Sequence, residues 1–288
     1  MTIQEFHEKA SCEGWALGHF NISDLDQLQA IALAAKNLKC PVLVGTSEGE
    51  RRAIGLKSAV YMIEGIRQDH GVTLWLNSDH SKSVETARAA FDAGYDSIHI
   101  DLSHLPYEEN VKGTKDIVDY VKAKKPEVHV EGELGLLKGE SKIQKEIIEV
   151  RSEDMVTPEQ AADFVSRTGI DRLAPAVGNI HGLSANVKVI YPDLIKKIRM
   201  AIPDSVGITL HGGSGIIDDL IRRAIVAGVN NIHINTEIRL ADTESLKKSL
   251  ADHPEETTPY KIVAPVIEAV RLKVEEKLKL FGSVNKIQ

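Results

Sequence analysis

Short runs of apolar and β-branched residues alternate along the chain with longer stretches whose apolar positions recur at helical spacing. The short runs fall at 16–21 (ALGHFN), 40–47 (CPVLVGTS), 72–80 (VTLWLNSDH), 96–103 (DSIHIDLS), 127–135 (EVHVEGELG), 172–182 (RLAPAVGNIHG), 206–215 (VGITLHGGSG) and 230–237 (NNIHINTE). Each suits a buried parallel strand. Helical patterns such as DLDQLQAIALAAKNL, KSVETARAAFDAG, PEQAADFVSRTG and DDLIRRAIVAG lie between them. Gly94, Gly169 and Gly228 stand just past the last periodic residue, where a left-handed helix stop favours glycine. Eight such strands joined by helices predict a (β/α)8 TIM barrel, with an open doubly wound sheet as the second topology this order allows. No linker rich in Pro, Gly or Ser divides the chain, so residues 1–288 read as one barrel domain with a C-terminal helical extension. That extension, APVIEAVRLKVEEKLKLFGS, is amphipathic and is expected to pack on the barrel or on another subunit.

A barrel carries its chemistry at the carboxyl ends of its strands. The third run is apolar through Leu76 and then turns polar at Asn77-Ser78-Asp79-His80. Asn21, Ser47, Asp101, Glu131, Glu133, His181, His211, Asn235 and Thr236 fall at comparable exits. One Asp or Ser at such a place is an ordinary helix cap. Three histidines at the exits of the third, sixth and seventh runs have a second meaning. Neutral imidazole is the commonest metal ligand, and three of them leave a fourth position open for Lewis-acid chemistry. Histidines hydrogen-bonded within the core are the alternative. His19, His99 and His129 lie inside strand patterns and read as satisfied core residues, while His7, His70 and His253 read as surface residues.

GNIHG (178–182) and LHGGSG (210–215) place histidine beside glycine. Gly212, Gly213, Ser214 and Gly215 lead toward a helix expected near Ile216, an arrangement that cradles a phosphate or, alternatively, makes a plain βα turn. Asn235, Thr236 and Arg239 follow the last run, and barrel phosphate sites frequently use the loops after strands 7 and 8. Charge narrows the partners. With 42 acidic and 35 basic residues, a net charge of −7, few aromatics and no long basic run, a nucleic-acid role has little support. No apolar run approaches the roughly 20 residues of a membrane span. Cys12 and Cys40 make no disulfide framework, and the N-terminus shows no apolar signal core. The expectation is a cytoplasmic protein acting on a small molecule.

The ordered set SDH, IDLS, EGELG, GNIHG, LHGGSG and NTEIRLA resembles the class II, metal-dependent ketose-bisphosphate aldolases, which include fructose- and tagatose-bisphosphate aldolases. The likeness runs over nearly the whole chain, from GHFN to KLFGS. It implies the barrel, a dimeric or tetrameric assembly, a phosphorylated sugar as substrate, and zinc or another divalent metal, with room for a monovalent cation. It further implies His80, His181 and His211 as metal ligands, Asp101 and Glu133 as acids at an alternative or second metal position, and Asp79 as the acid/base for the C4 hydroxyl. Gly182, Gly212, Gly213, Ser214 and the segment from His233 through Asn235 to Thr236 match the dihydroxyacetone-phosphate site, with Ser47 near that phosphate. Asn21, at the exit of the first run, joins the substrate-binding group. Arg239 matches an arginine that meets the far phosphate in the fructose branch. The polar segment 136–157 reads as a long loop able to close over substrate, with Glu140 near the family's loop glutamate. His233 stands where the family usually has Asn, and Asn235 where the fructose branch has Asp, so fructose, tagatose and other phosphorylated ketoses stay open as substrates. Two rivals are a non-catalytic barrel paralogue and a Schiff-base aldolase. The latter needs a lysine inside the barrel, and none of the eight runs contains one.

Overall fold

The computed structural model describes residues 1–183 and 188–287. Eight parallel strands close into a barrel in sequence order: β1 (Leu17–Asn21), β2 (Val42–Thr46), β3 (Leu74–Ser81), β4 (Ser97–Ile100), β5 (His129–Leu134), β6 (Arg172–Pro175), β7 (Gly207–Leu210) and β8 (Asn231–Ile234). β8 pairs with β1 from Leu17 opposite Asn231 to Phe20 opposite Ile234, which completes the ring and excludes the open sheet. The helices are α1 (Ile3–Glu13), α2 (Leu25–Leu38), α3 (Glu48–Ile54), α4 (Leu56–His70), α5 (Val84–Ala93), α6 (Tyr107–Lys122), α7 (Pro158–Thr168), α8 (Pro192–Ala201), α9 (Asp218–Val226), α10 (Thr236–Asp252) and α11 (Pro259–Leu280). Most strands are shorter than the apolar runs that announce them, because the carboxyl ends of the runs leave the ladder to build the loops at the barrel mouth. The helix after β7 likewise starts at Asp218 rather than near Ile216.

Strand residues alternate between the helical layer and the barrel axis. Val44, Leu76, Ile98, Val130, Leu173, Ile208 and Ile232 are buried in the main apolar core that the strands share with the helices. Many axial positions are polar, contrary to the apolar strands expected from the runs, while Leu17 and Leu43 remain apolar and cluster with Ile3 and Phe6 of α1. Asn77 bonds His19 Nε2 at 3.1 Å, Ser97 Oγ donates to Asn77 Oδ1 at 2.7 Å, and Arg172 donates to Ser97 at 2.7 Å and to Glu131 at 2.8 Å. Thr209 donates to the same Glu131 oxygen at 2.8 Å. Glu131 and Arg172 are fully buried, so their desolvation is tolerable only because partners surround them. α11 carries Val270, Val274 and Leu278 into the core, Phe281 just past its end joins them, and the Phe281 carbonyl accepts the Ala16 amide at 3.0 Å. The C-terminal extension therefore packs on the barrel, the first of the two placements expected.

Candidate active site

The site begins with an irregularity in β3. Asn77 and Ser78 pair with Ser97 and Ile98 of β4, Ser81 pairs with Ile100, and the register shifts between them. His80 there has φ of 46°, a left-handed conformation uncommon outside glycine. In a regular strand Asp79 and His80 would face opposite sides; the bulge turns both toward the mouth. Buried Arg51 secures it, donating to the Thr46 carbonyl at 2.8 Å, the Asp79 carbonyl at 3.2 Å and Ser81 Oγ at 3.2 Å.

Around this bulge the histidines converge. The His80 ring lies 4.9 Å from His181 and 4.7 Å from His211, centroid to centroid, and His181 lies 6.1 Å from His211. The three rings expected as ligands thus stand near one another, but the ligand atoms that lie within 4.8 Å of one another are those of Asp79, His80, His99 and His211, of His80, Asp101 and Glu133, of His19, Asp79 and His233, and of Glu131, His211 and His233, groups that do not include His181. His80 Nδ1 is 2.8 Å from Asp101 and 3.4 Å from Glu133. His211 Nε2 is 2.9 Å from Glu131, which fixes its ring and turns the other nitrogen away from that acid. His99 belongs to the cluster: Nε2 is 3.2 Å from Glu133 and Nδ1 accepts the His80 amide at 3.0 Å. It is therefore more than the satisfied core residue expected from the sequence. His233 stacks on His19 at 3.5 Å with rings 5° apart, and its Nδ1 stands 3.3 Å from Asp79 Oδ1 without a hydrogen bond. His7 is buried rather than superficial, stacked 5.8 Å from His129 away from the mouth.

Burial alone would raise the Asp79 carboxyl, but the charge on His80 beside it holds it well below the usual carboxylate range. Burial opposes charge on His80, yet Asp79, Glu133 and Asp101 raise it to about 9. His181 is driven the other way, by burial and by His80 and His211, and keeps a neutral ring able to act as a ligand. For His99 burial favours the neutral ring and the acids oppose it; the bond from the His80 amide decides for a neutral Nδ1, because a protonated nitrogen cannot accept. Asp79 Oδ1, His99 Nε2, Glu133 Oε2 and His233 Nδ1 are buried without a hydrogen-bond partner. Orphaned donors and acceptors clustered in this way call for a ligand, and imidazole with carboxylate suits a divalent cation.

Asn21, Asp79, His80, Ser141, His181, Gly182, His211, Gly212, Ser214, His233, Asn235 and Thr236 line a cavity of about 20 Å³. Beside it opens a 520 Å³ cleft reached by Ser47, Asp101, Glu133, Glu140 and Arg239. Asn235 Oδ1 and Thr236 Oγ1 are buried without partners. The glycine-rich turn is less open than expected. The Gly213 amide donates to the His233 carbonyl at 3.0 Å and the Gly215 amide to Glu237 at 2.8 Å. Gly182 and Gly212 also have positive φ, and a side chain at Gly182 would strike the carbonyls of Glu140 and Lys142. Its glycine thus lets the loop after β5 lie over His181. That loop is fixed by Gln144 donating to the Leu183 carbonyl at 2.7 Å and by the His181 amide donating to Lys138 at 2.9 Å. Glu140 sits exposed at its rim, paired with Lys142 at 2.6 Å, which keeps its carboxyl low. Arg239 does not stand free in the cleft: it donates to the Ser141 carbonyl at 2.9 Å and pairs with Glu50, which was not singled out from the sequence. Lys188 is buried near the site with its pKa pushed down to about 8 by burial, but its ammonium binds the Ile180 and Gly212 carbonyls at 2.8 Å each and it lines neither space.

A closed parallel barrel with histidines and carboxylates converging at its carboxyl mouth defines a barrel enzyme with a site suited to a divalent cation. The sequence model of the family described as "Fructose-bisphosphate aldolase class-II" matches residues 1–286. The chain belongs to that family, the class II aldolases, whose members work with a divalent metal. It is 38% identical to a fructose-bisphosphate aldolase of Geobacillus stearothermophilus, over 99% of this chain and 98% of that one. It is 34% identical to a fructose-bisphosphate aldolase of Staphylococcus aureus, with the same coverage. The crystal structure of the YdjI aldolase from Escherichia coli K12 superposes with a TM-score of 0.84 at 30% identity, covering 99% of this chain and 98% of that one.

Proposed function

We propose that this chain is a zinc-dependent aldolase that reversibly cleaves a ketose 1,6-bisphosphate, with fructose 1,6-bisphosphate first among its substrates, to dihydroxyacetone phosphate and glyceraldehyde 3-phosphate. The observation that carries the reading is Asp79: ionised, buried, and with Oδ1 unpartnered beside His80, His181 and His211. The three histidines would hold the metal, with Asp101 and Glu133 as acids at an adjoining position. When bound, a divalent cation would polarise the C2 carbonyl and stabilise the enediolate charge left by cleavage between C3 and C4.

The remaining work falls to the chain. Asn21 donates to Asp79 Oδ2 at 2.9 Å, which orients the carboxylate and leaves Oδ1 to accept the C4 hydroxyl proton. Ser214, Asn235, Thr236 and the turns at Gly182 and Gly212–Gly213 would receive the dihydroxyacetone-phosphate half, and the unpartnered Asn235 and Thr236 oxygens support that placement. Glu140, on the loop over the cleft, is the proposed acid for C3; its side chain must leave its exposed pairing with Lys142 and turn inward to reach the enediolate. Among the described residues, no helix is long and apolar enough to cross a membrane. We further propose a homodimer or homotetramer.

The test is triose-phosphate release from fructose 1,6-bisphosphate, tagatose 1,6-bisphosphate and fructose 1-phosphate, with and without chelator. Metal-dependent release is expected. Full activity in the stripped protein, or inactivation by borohydride only with substrate present, would favour a Schiff base instead.

A further inference from the structure

Glu50 is buried, and its two oxygens serve different masters. One, Oε2, accepts the Ser47 amide at 2.6 Å and Asn21 Nδ2 at 3.0 Å; the other, Oε1, pairs with Arg239. Ser47 caps α3 and Glu50 is the third residue of that helix, so the carboxylate is anchored in a reciprocal capping box. It cannot swing out with Arg239. Three groups that would greet an anionic sugar, Ser47, Asn21 and Arg239, are thus already engaged by one fixed negative charge of the chain itself. A phosphate approaching Arg239 must separate a charge-assisted pair and leave a buried carboxylate beside its own charge.

We propose that Glu50 is a specificity-determining residue: it competes with the phosphate on the aldehyde side of the substrate for Arg239, so that this chain discriminates only weakly between bisphosphorylated and monophosphorylated ketoses. The inference rests on the aldolase reading.

The condensation direction isolates that pocket, because dihydroxyacetone phosphate is common and only the aldehyde changes. Metal-loaded wild type, Glu50→Gln, Glu50→Ala and Glu50→Asp are assayed with glyceraldehyde 3-phosphate and with glyceraldehyde. Gln keeps the capping box and removes the charge. The ratio of kcat/KM for the phosphorylated over the unphosphorylated aldehyde is expected to rise about tenfold in Glu50→Gln, the scale of one charge-assisted hydrogen bond, chiefly through KM of the phosphorylated aldehyde. Glu50→Ala should raise it in the same direction, and Glu50→Asp should restore the wild-type ratio. Adding Arg239→Ala to Glu50→Gln should abolish the gain. An unchanged or lower ratio in the uncharged variants, or equal losses on both aldehydes, overturns the proposal and leaves Glu50 a helix cap. If wild type condenses neither aldehyde, the aldolase reading itself falls, and the inference with it.

Discussion

At Asp79 the chain holds a carboxylate charged inside protein, which burial opposes and the charge on His80 permits. Asp79→Asn removes the proton acceptor but keeps the volume and the neighbouring histidines. Cleavage is therefore expected to fall about 10²–10⁴-fold while metal content, measured by atomic absorption, stays near wild type. Undiminished turnover in the loaded variant would return Asp79 to the role of a structural cap. His7 offers a residue-scale test far from that chemistry. Burial, with the charge of Arg172, pushes its pKa down to about 3 from 6.5. The unfolded chain therefore binds this proton first, and stability is lost as pH falls from 6.5 toward 3, by about 1.4 kcal/mol per unit. At pH 5 this one group should cost about 2 kcal/mol relative to pH 7. Urea denaturation at both pH values should show a smaller acid loss in His7→Gln than in wild type, and equal losses would remove His7 from the account.

Among the elements, the strands were legible because continuous apolar runs bounded by glycine and polar residues leave few alternatives to a buried strand. What the runs concealed was their parity. His99 is two residues before Asp101, Glu131 two before Glu133 and His19 two before Asn21, so each shares a face with a residue expected at the mouth. That spacing was the available signal for His99, and the hydrophobicity of its neighbours outweighed it. The bulge at His80 was not legible, since neither glycine nor proline marks it and its cause, the reach of Arg51 from α3, is tertiary. Glu50 was hidden in the same way, as a helix-capping acid whose second oxygen meets a residue 189 positions away. The loop after β5 is legible as a long polar segment, but its docking on His181 depends on Gly182. Gly182→Ala should cost about 1–2 kcal/mol through its left-handed backbone alone and push the loop off its carbonyl contacts. Limited proteolysis within 138–150 should then be faster and kcat/KM lower; unaltered cleavage by the protease would show that the loop tolerates the displacement.

For the molecule as a whole, the polar axis and the mouth form one continuous system. Arg172 meets Glu131, Glu131 meets His211, and His211 faces His80 within the cluster. The barrel charged along its axis is therefore also the support that orients the site. The three proposed ligands come from β3, the turn after β6 and the end of β7, at positions 80, 181 and 211. Such widely separated groups meet only when the ring of strands is nearly shut. A cation then has nothing organised to grip in the unfolded chain, so it should act as a latch on the finished barrel rather than a seed for it. Refolding after dilution from urea should proceed at the same rate with zinc or with chelator, while unfolding slows in zinc, and the melting temperature rises by the linkage expected of a ligand that binds only the native state, about 4 kcal/mol at a thousandfold excess over Kd. A refolding rate that increases with zinc would mean that part of the site exists before the strands close, and that the order of assembly runs from the mouth inward.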